Sequence, residues 1–344
     1  MSSSRQKKRS AFALLLPLLA FFGGFASCSL HLDPTNRYAL VIGITEYQDY
    51  VDPDHKGRYC WGAANDAISM GRLLANSGWT VEPLLTNQYA SKSNIASALD
   101  ALASRLDSSS SVLVYFSGHG EGQTIGSNLP FQTSYLIPWD GVTAGGGLQQ
   151  SNWIDPSLLS TWMAKFKSAN KLLILDCCYS GGFVDPASSL DTAPGNYGPR
   201  DGGTEANPLS AVVSNAGSLL AKSFAANPDP SVLTLSAAGA NEQSYGDAYY
   251  SVAYDDHGVF TWFLLQAAQD KAADQNSDGL VTVVEAYAYA KNRIKETWNL
   301  AQNNSYDIVG YDSTTIPSKP IKMYYDFLPH ISGGSGDLVL YLRR

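Results

Sequence analysis

Apolar residues recur along this chain in short continuous runs that alternate with amphipathic segments. The run RYALVIGI, at residues 37–44, is typical of a strand that is covered on both faces. In the following segment, NDAISMGRLLANSG, apolar residues at 67, 68, 70, 73 and 74 share one helical face, and Gly78 ends the pattern. These two segments predict a first βα unit.

The same alternation continues further along the chain. It predicts strands at residues 81–85, 111–116, 171–176 and 231–237, and helices at residues 91–106 and 156–166. SYLIPWD, at residues 134–140, is predicted to form a hairpin or a short extension. Strands that alternate with helices form a mostly parallel sheet with helices on both faces, so the predicted fold class is α/β.

One part of the chain breaks this pattern. Residues 183–230 are rich in Gly, Pro, Ser and Asn, with one candidate helix near residues 209–224. This part is predicted to be an insertion or a long loop within a single domain. Its only basic residue before Ala221 is Arg200, in GNYGPRDGG, an exposed type of segment in which proteolytic nicking concentrates.

Composition limits the classes of function. The 344 residues are 44% apolar and 16% charged, enough for a large globular core. A net charge of −8 argues against a nucleic-acid partner, because no excess of cations is present to neutralise phosphates. Four cysteines without a CxxC pair exclude a disulfide scaffold and a zinc ribbon, and Cys60 is predicted to be a buried apolar residue.

The first 27 residues are predicted to be a signal peptide. Four basic residues precede an apolar stretch at residues 11–26, which is shorter than the roughly 20 residues of a membrane-spanning helix. FASC resembles a bacterial lipobox, which favours lipidation of Cys28; the alternative is ordinary cleavage near Ala26 and a soluble secreted protein. Residues 28–36 are then a linker. The expected location is the bacterial cell envelope, where the protein is anchored to a membrane by its lipid or lies in the periplasm or at the cell surface.

Two predicted strands end in residues typical of nucleophilic catalysis. SVLVYF leads into SGHG and so places His119 between two glycines, and KLLILD leads into CCYSGG and so places Cys177 and Cys178 at a strand end. A thiol needs a nearby base at neutral pH, and imidazole is the usual one. The alternatives are a turn histidine with buried inert thiols, or a disulfide or metal site. Active sites of parallel sheets commonly lie at the carboxyl ends of the strands, and this position favours a catalytic pair.

YFSGHG followed by DCCYSGG resembles the caspase-like cysteine peptidases, in particular their bacterial metacaspase relatives. RYALVIGI with NDA is similar to the first βα unit of that family, GVFTWFLLQAAQ to its late helix, and GDLVLYL to its closing strand. The resemblance implies a caspase-like fold over residues 37–344, with a central, mainly parallel sheet of about six strands. It also implies an endopeptidase that acts on protein or peptide substrates.

Cys178 is the expected nucleophile. Residues two apart in an extended segment face the same side, so Cys178 and Asp176 share a side and Cys177 points into packing. The resemblance agrees, and it implies that His119 is the base and that the Gly120 amide, beside the amide of Cys178, binds the oxyanion. A vicinal disulfide is the minority alternative, because linking neighbouring cysteines strains the backbone.

The resemblance also implies cleavage after Arg or Lys, because acidic residues line the specificity pocket of such enzymes. The matching positions are Asp66 in NDA, Ser117 in SGHG and Asp176. Asp66 has an alternative role, because an acid in the first turn of a helix complements the helix dipole without any ligand.

A second motif is independent of the first. DQNSDGLVTVVE, at residues 274–285, fits the D-x-[DN]-x-[DN]-G-x₅-E calcium loop at every defined position, with Gly279 at the sharp turn. The ligands would be Asp274, Asn276, Asp278, the Leu280 carbonyl, Thr282 through water, and Glu285. The alternative is an Asx-rich turn without an ion. Structural calcium behind the active site is the favoured prediction.

Two classes of function therefore fit the sequence. The first is a calcium-supported cysteine endopeptidase at a bacterial envelope. An enzyme that cuts after arginine could also cut itself after Arg200; the alternative is a plain surface loop in which this arginine has no role. The second is a catalytically silent caspase-like surface lipoprotein that acts as a calcium-stabilised binding module. The presence of both His119 and Cys178 favours the enzyme.

Overall fold

The structure, a computed structural model, describes most of the chain after residue 35. The described residues are 36–48, 60, 62–123, 133–142, 149–178, 180–183, 197–199, 231–239, 244–245, 256–301, 308–312, 319–325 and 327–343. The predicted signal peptide, Cys28, nearly all of the linker, Arg200 and the candidate helix at residues 209–224 lie outside these ranges. Within them, no helix has the length and hydropathy needed to cross a membrane.

Strands and helices alternate along the described chain. The strands are β1 (Arg37–Gly43), β2 (Thr80–Thr86), β3 (Ser111–Ser117), β4 (Gly120–Gln123), β5 (Thr133–Leu136), β6 (Asn170–Asp176), β7 (Tyr197–Pro199), β8 (Val232–Ser236), β9 (Leu280–Thr282), β10 (Ile308–Asp312), β11 (Lys319–Tyr325), β12 (His330–Ser332) and β13 (Val339–Leu342). The helices are α1 (Ala63–Asn76), α2 (Lys92–Arg105), α3 (Pro156–Met163), α4 (Val259–Ala267) and α5 (Val283–Arg293). A π-helical turn, Ile294–Asn299, continues α5.

Six strands form the central sheet, in the order β12-β8-β6-β3-β1-β2. All neighbouring pairs are parallel except β12, which is antiparallel to β8. This confirms the predicted α/β fold with a mainly parallel sheet of six strands.

Both faces of this sheet are covered by helices, also as predicted. Ala39 and Val41 of β1 face a core that contains residues of α1, α4 and α5. Leu40 and Ile42 face a second core, which contains residues of α2 and α3. Successive side chains of a strand point to opposite faces, so burial on both faces requires the continuous apolar runs of the sequence.

Several smaller pairings were not predicted in detail. SYLIPWD contributes β5, which pairs antiparallel with β4 directly after SGHG. The closing strand β13 does not join the central sheet but pairs antiparallel with β9. It is fixed by contacts with the amino-terminal end of the sheet, where the Trp79 indole and the Arg37 guanidinium donate to the carbonyls of Leu340 and Val339. A further sheet has the order β10-β11-β7.

Candidate active site

The parallel register of β3 and β6 sets the positions of His119 and Cys178. Ser117, the last residue of β3, lies beside Asp176, the last residue of β6. His119 and Cys178 each follow two residues later, so one register brings both to the same carboxyl edge of the sheet. The Gly118 N–H donates to the Asp176 carbonyl at 3.2 Å and extends the contact between the two segments.

Gly120 brings the segment that carries His119 against the segment that carries Cys178. A Cβ atom on residue 120 would lie 1.9 Å from the carbonyl oxygen of Cys178. Any side chain would therefore clash with backbone, and only glycine permits this approach. The two backbones meet directly beside the predicted nucleophile.

The Cys178 thiol donates to the carbonyl oxygen of Ser244, with 3.7 Å between sulfur and oxygen. Burial, with a smaller contribution from the nearby Asp176 carboxylate, raises the pKa of Cys178 to about 11. The thiol is therefore protonated at neutral pH in this arrangement. A base must remove its proton before it can act as a nucleophile.

The other cysteines differ from Cys178 in their surroundings. Cys177 is 2% exposed and packs into the core on the α2 and α3 side of the sheet. Cys60, predicted to be a buried apolar residue, is partly buried and packs against the same core. The three cysteines that the structure describes are free thiols, so no disulfide joins Cys177 to Cys178 here.

Tyr47, in the segment after β1, holds His119 in two ways. Its hydroxyl oxygen accepts the His119 backbone N–H at 2.6 Å. Its ring stacks on the imidazole with 4.9 Å between centroids and 29° between planes. Tyr47 is itself buried, so this contact restricts both the backbone and the ring of His119.

Asp66, in the first turn of α1, faces the carboxyl edge of the sheet. Its carboxylate accepts the Ser117 hydroxyl at 2.7 Å and the Gly258 N–H at 3.0 Å. His257 Nδ1 lies 2.9 Å from the same carboxylate. These partners lie outside α1, so the hydrogen bonds of the side chain join it to the site, whatever it contributes to the helix dipole.

Asp176 is the second buried acid of this edge. It accepts the Ser244 hydroxyl at 2.7 Å, and the N–H and hydroxyl of Thr261 at 3.0 and 2.7 Å. Burial raises the pKa of Asp176, and it raises the pKa of Asp66 to about 6 although the hydrogen bond from His257 opposes the shift. Ser244 therefore contacts both the Cys178 thiol and the Asp176 carboxylate.

Sequence reasoning assigned no role to Tyr47, Ser244, His257 or Thr261, which all lie in this site. Tyr47 follows the end of β1, so this position could have been suspected from the predicted sheet edge. Ser244 gives no comparable signal, because nothing local in the sequence relates it to β6.

The loop at residues 274–285 has the backbone features of the calcium-loop pattern. Gly279 has φ +83°, a left-handed conformation that favours glycine. Asp274 accepts the N–H groups of Asp278 and Gly279 at 3.1 and 3.0 Å. Thr282 and Glu285 form a capping box at the start of α5. The donor types, three carboxylates, an amide and a carbonyl, suit calcium.

The side chains of this loop are also bonded to one another and to a cation of the chain. Arg343 Nη1 lies 2.8 Å from the buried Asp274 carboxylate. The Asn276 amide donates to Asp278 at 3.0 Å, and Glu285 accepts the Gln275 N–H at 3.0 Å. Over the described ranges, no three His, Cys, Asp or Glu side chains converge in a way that could hold a metal ion.

Comparison with known protein families agrees with this fold. The family model of the caspase domain matches residues 36–309. The chain belongs to the caspase domain family and has the fold of a caspase-like cysteine peptidase. No curated protein matches the sequence significantly.

Many solved structures resemble the chain, among them two crystal structures. A crystal structure of a protein from Geobacter sulfurreducens shares 18% identity, covering 75% of this chain and 89% of that one, with a TM-score of 0.46. The crystal structure of caspase-1 from Spodoptera frugiperda shares 12% identity, covering 90% of this chain and 92% of that one, with a TM-score of 0.48.

Proposed function

We propose that this protein is a cysteine endopeptidase that hydrolyses peptide bonds through Cys178 and His119. The observation that carries the proposal is the shared register of β3 and β6, which sets both residues two positions beyond a paired strand end. The close approach of Gly120 to the Cys178 backbone supports it.

The proposed reaction follows from these groups. The imidazole of His119 accepts the thiol proton while Cys178 Sγ bonds to the scissile carbonyl carbon. The backbone N–H groups of Gly120 and Cys178 stabilise the oxyanion that forms. His119 returns the proton to the leaving amine as the C–N bond breaks, and water then hydrolyses the thioester with His119 as base. A protonated resting thiol is consistent with proton removal during attack.

The proposed specificity is cleavage after Arg or Lys. Asp66 and Asp176 are both buried and lie at the carboxyl edge of the sheet, and Ser244 contacts both Asp176 and Cys178. Two carboxylates in a partly desolvated pocket favour a cationic side chain, and a guanidinium can bond to both. Ser117 holds Asp66 in place within this pocket.

The direct test is a cleavage profile on a peptide library, measured with and without calcium. Hydrolysis after Arg or Lys that is lost in Cys178→Ala supports the enzyme. Binding of library peptides without hydrolysis, at every calcium concentration, would instead support the silent binding module.

Calcium binding at residues 274–285 is part of the same proposal. When bound, calcium would supply positive charge that offsets the carboxylates of Asp274, Asp278 and Glu285. Because Arg343 pairs with Asp274, one of the three carboxylates is compensated without the ion, and calcium must compete with this arginine.

We expect calcium in large excess over its dissociation constant to raise the melting temperature by about 5 °C. Glu285→Gln should remove this shift, because glutamine retains the capping box but lacks the charge. Arg343→Gln should enlarge the shift by freeing Asp274. Scanning fluorimetry with calcium, magnesium and EGTA measures all three. Identical melting temperatures in calcium and EGTA for the wild type and for Arg343→Gln would reject the site.

Self-cleavage after Arg200 also remains a prediction, because this residue lies outside the described ranges and directly follows β7. Mass spectrometry of the purified wild type should find a new amino terminus at Asp201, absent from Cys178→Ala. A wild-type chain that is active and intact would show that processing at this site is not needed.

Export to the cell envelope with a lipid on Cys28 completes the proposal. The support is the basic and apolar pattern of the first 27 residues and the FASC segment. The mature peptidase would then meet its protein substrates at a membrane surface.

A further inference from the structure

His257 lies directly before α4 and is 5% exposed. Its Nδ1 atom is 2.9 Å from Asp66 Oδ1, and its Nε2 atom is 3.4 Å from the Ser69 hydroxyl. The Trp262 ring stacks on the imidazole, with 5.9 Å between centroids and 30° between planes. The imidazole is thus held against one of the two pocket acids.

Gly258 brings the second acid to the same place. Its N–H donates to Asp66 at 3.0 Å. A Cβ atom on residue 258 would lie 2.5 Å from Asp176 Oδ2 and 3.0 Å from Asp66 Oδ2. Both carboxylates therefore approach the backbone beside His257. Asp66, Asp176 and His257 thus form an acid–histidine cluster.

Other titratable groups face this cluster from β3, from the segment before α1 and from the end of β6. They are Tyr115, Cys60 and Cys178. Burial raises the pKa of each of them, to about 11 for Cys178, so all three are neutral in the pH range in which most enzymes work. The charge at Asp66 and Asp176 in that range is therefore decided within the cluster.

The cluster has two places for one proton. His257 Nδ1 and Asp66 Oδ1 lie 2.9 Å apart, so either atom can hold it. Burial raises the pKa of the Asp66 carboxyl to about 6, so this acid retains its proton to a higher pH than an exposed aspartate. The cluster carries two negative charges when the proton is gone, and one when His257 or Asp66 holds it.

We propose that His257 is a specificity-determining residue that makes the preference for a basic substrate side chain depend on pH. The inference rests on the proposed function, in which Asp66 and Asp176 receive that side chain. A guanidinium is attracted more strongly to two negative charges than to one, so its entry expels the shared proton. Preference for arginine then rises as pH rises through the titration of the cluster.

Two peptides that differ only before the scissile bond test this inference, one with arginine and one with its neutral isostere citrulline. The ratio of their kcat/KM values cancels the titration of the Cys178–His119 pair and any unfolded fraction, because both peptides meet the same enzyme. From pH 5 to pH 8 we expect the wild-type ratio to rise about tenfold.

His257→Gln is the matched variant, because glutamine can donate to Asp66 but cannot take up a proton. With the second proton site removed, the rise should move to lower pH. At pH 6 the ratio should then exceed that of the wild type severalfold, with agreement at pH 8. His257→Asn provides a second variant of the same kind.

The outcomes separate the two proposals. A wild type that prefers arginine, with the same pH profile in His257→Gln and His257→Asn, overturns the role of His257. A wild type with no preference for arginine over citrulline at any pH overturns the proposed specificity itself.

Discussion

Cys178→Ala should abolish peptide hydrolysis, with a loss of about 10⁴-fold or more in kcat/KM, because no other group can form the thioester. His119→Ala should lose about 10²- to 10⁴-fold, the usual contribution of a general base. The measurement is hydrolysis of an arginine peptide by each purified variant, with circular dichroism to confirm the fold.

Cys177→Ala is the matched control, because it removes the neighbouring thiol from the core on the opposite face of the sheet. It should keep most of the activity and lose only some stability. If Cys178→Ala turns over substrate at a rate near that of the wild type, the assignment of Cys178 and His119 as the catalytic pair is wrong. Loss of activity in Cys177→Ala alone would move the nucleophile to that residue.

Asp176→Ala should lower the preference for arginine over citrulline by about 10²-fold, the effect of removing one partner of a buried charge pair. It should also lower the free energy of unfolding by about 1–3 kcal/mol, because Ser244 and Thr261 lose their acceptor. The structure therefore adds a stability loss that the sequence did not predict. Kinetics and denaturant unfolding measure the two effects separately.

Thr261→Val is the control for this experiment, because it removes one hydrogen bond to Asp176 but keeps both carboxylates. Its unfolding should become easier while its arginine preference persists. An enzyme that prefers aspartate before the scissile bond would contradict the acidic pocket. Equal losses of arginine preference in both variants would mean that packing, not charge, sets the specificity.

The central sheet could be predicted because its strands are buried on both faces. All seven residues of β3 are buried, which forces an unbroken apolar run that is visible in the sequence. The pairings of β9 with β13, and of β7 with β11, involve strands as short as three residues. Segments of that length carry too little periodicity to identify a partner, so these pairings were not predicted.

The residues of the candidate site also differ in whether the sequence could predict them. His119 and Cys178 could be found because each directly follows an apolar run that marks a strand end. His257 could not, because its contact with Asp66 joins residues 191 positions apart and leaves no local pattern. The same is true of Ser244, whose contact with Asp176 depends on how the chain returns to the sheet edge.

The pairing of Ser117 with Asp176 separates the parts of this chain that can change from those that cannot. Backbone hydrogen bonds of the sheet, and not the length of the intervening chain, fix how far His119 lies from Cys178. Connecting segments can therefore lengthen or be exchanged at small entropic cost. One residue inserted within β3 or β6 would instead turn every later side chain to the opposite face. Changes in the connecting segments would thus leave the relative positions of His119 and Cys178 as they are.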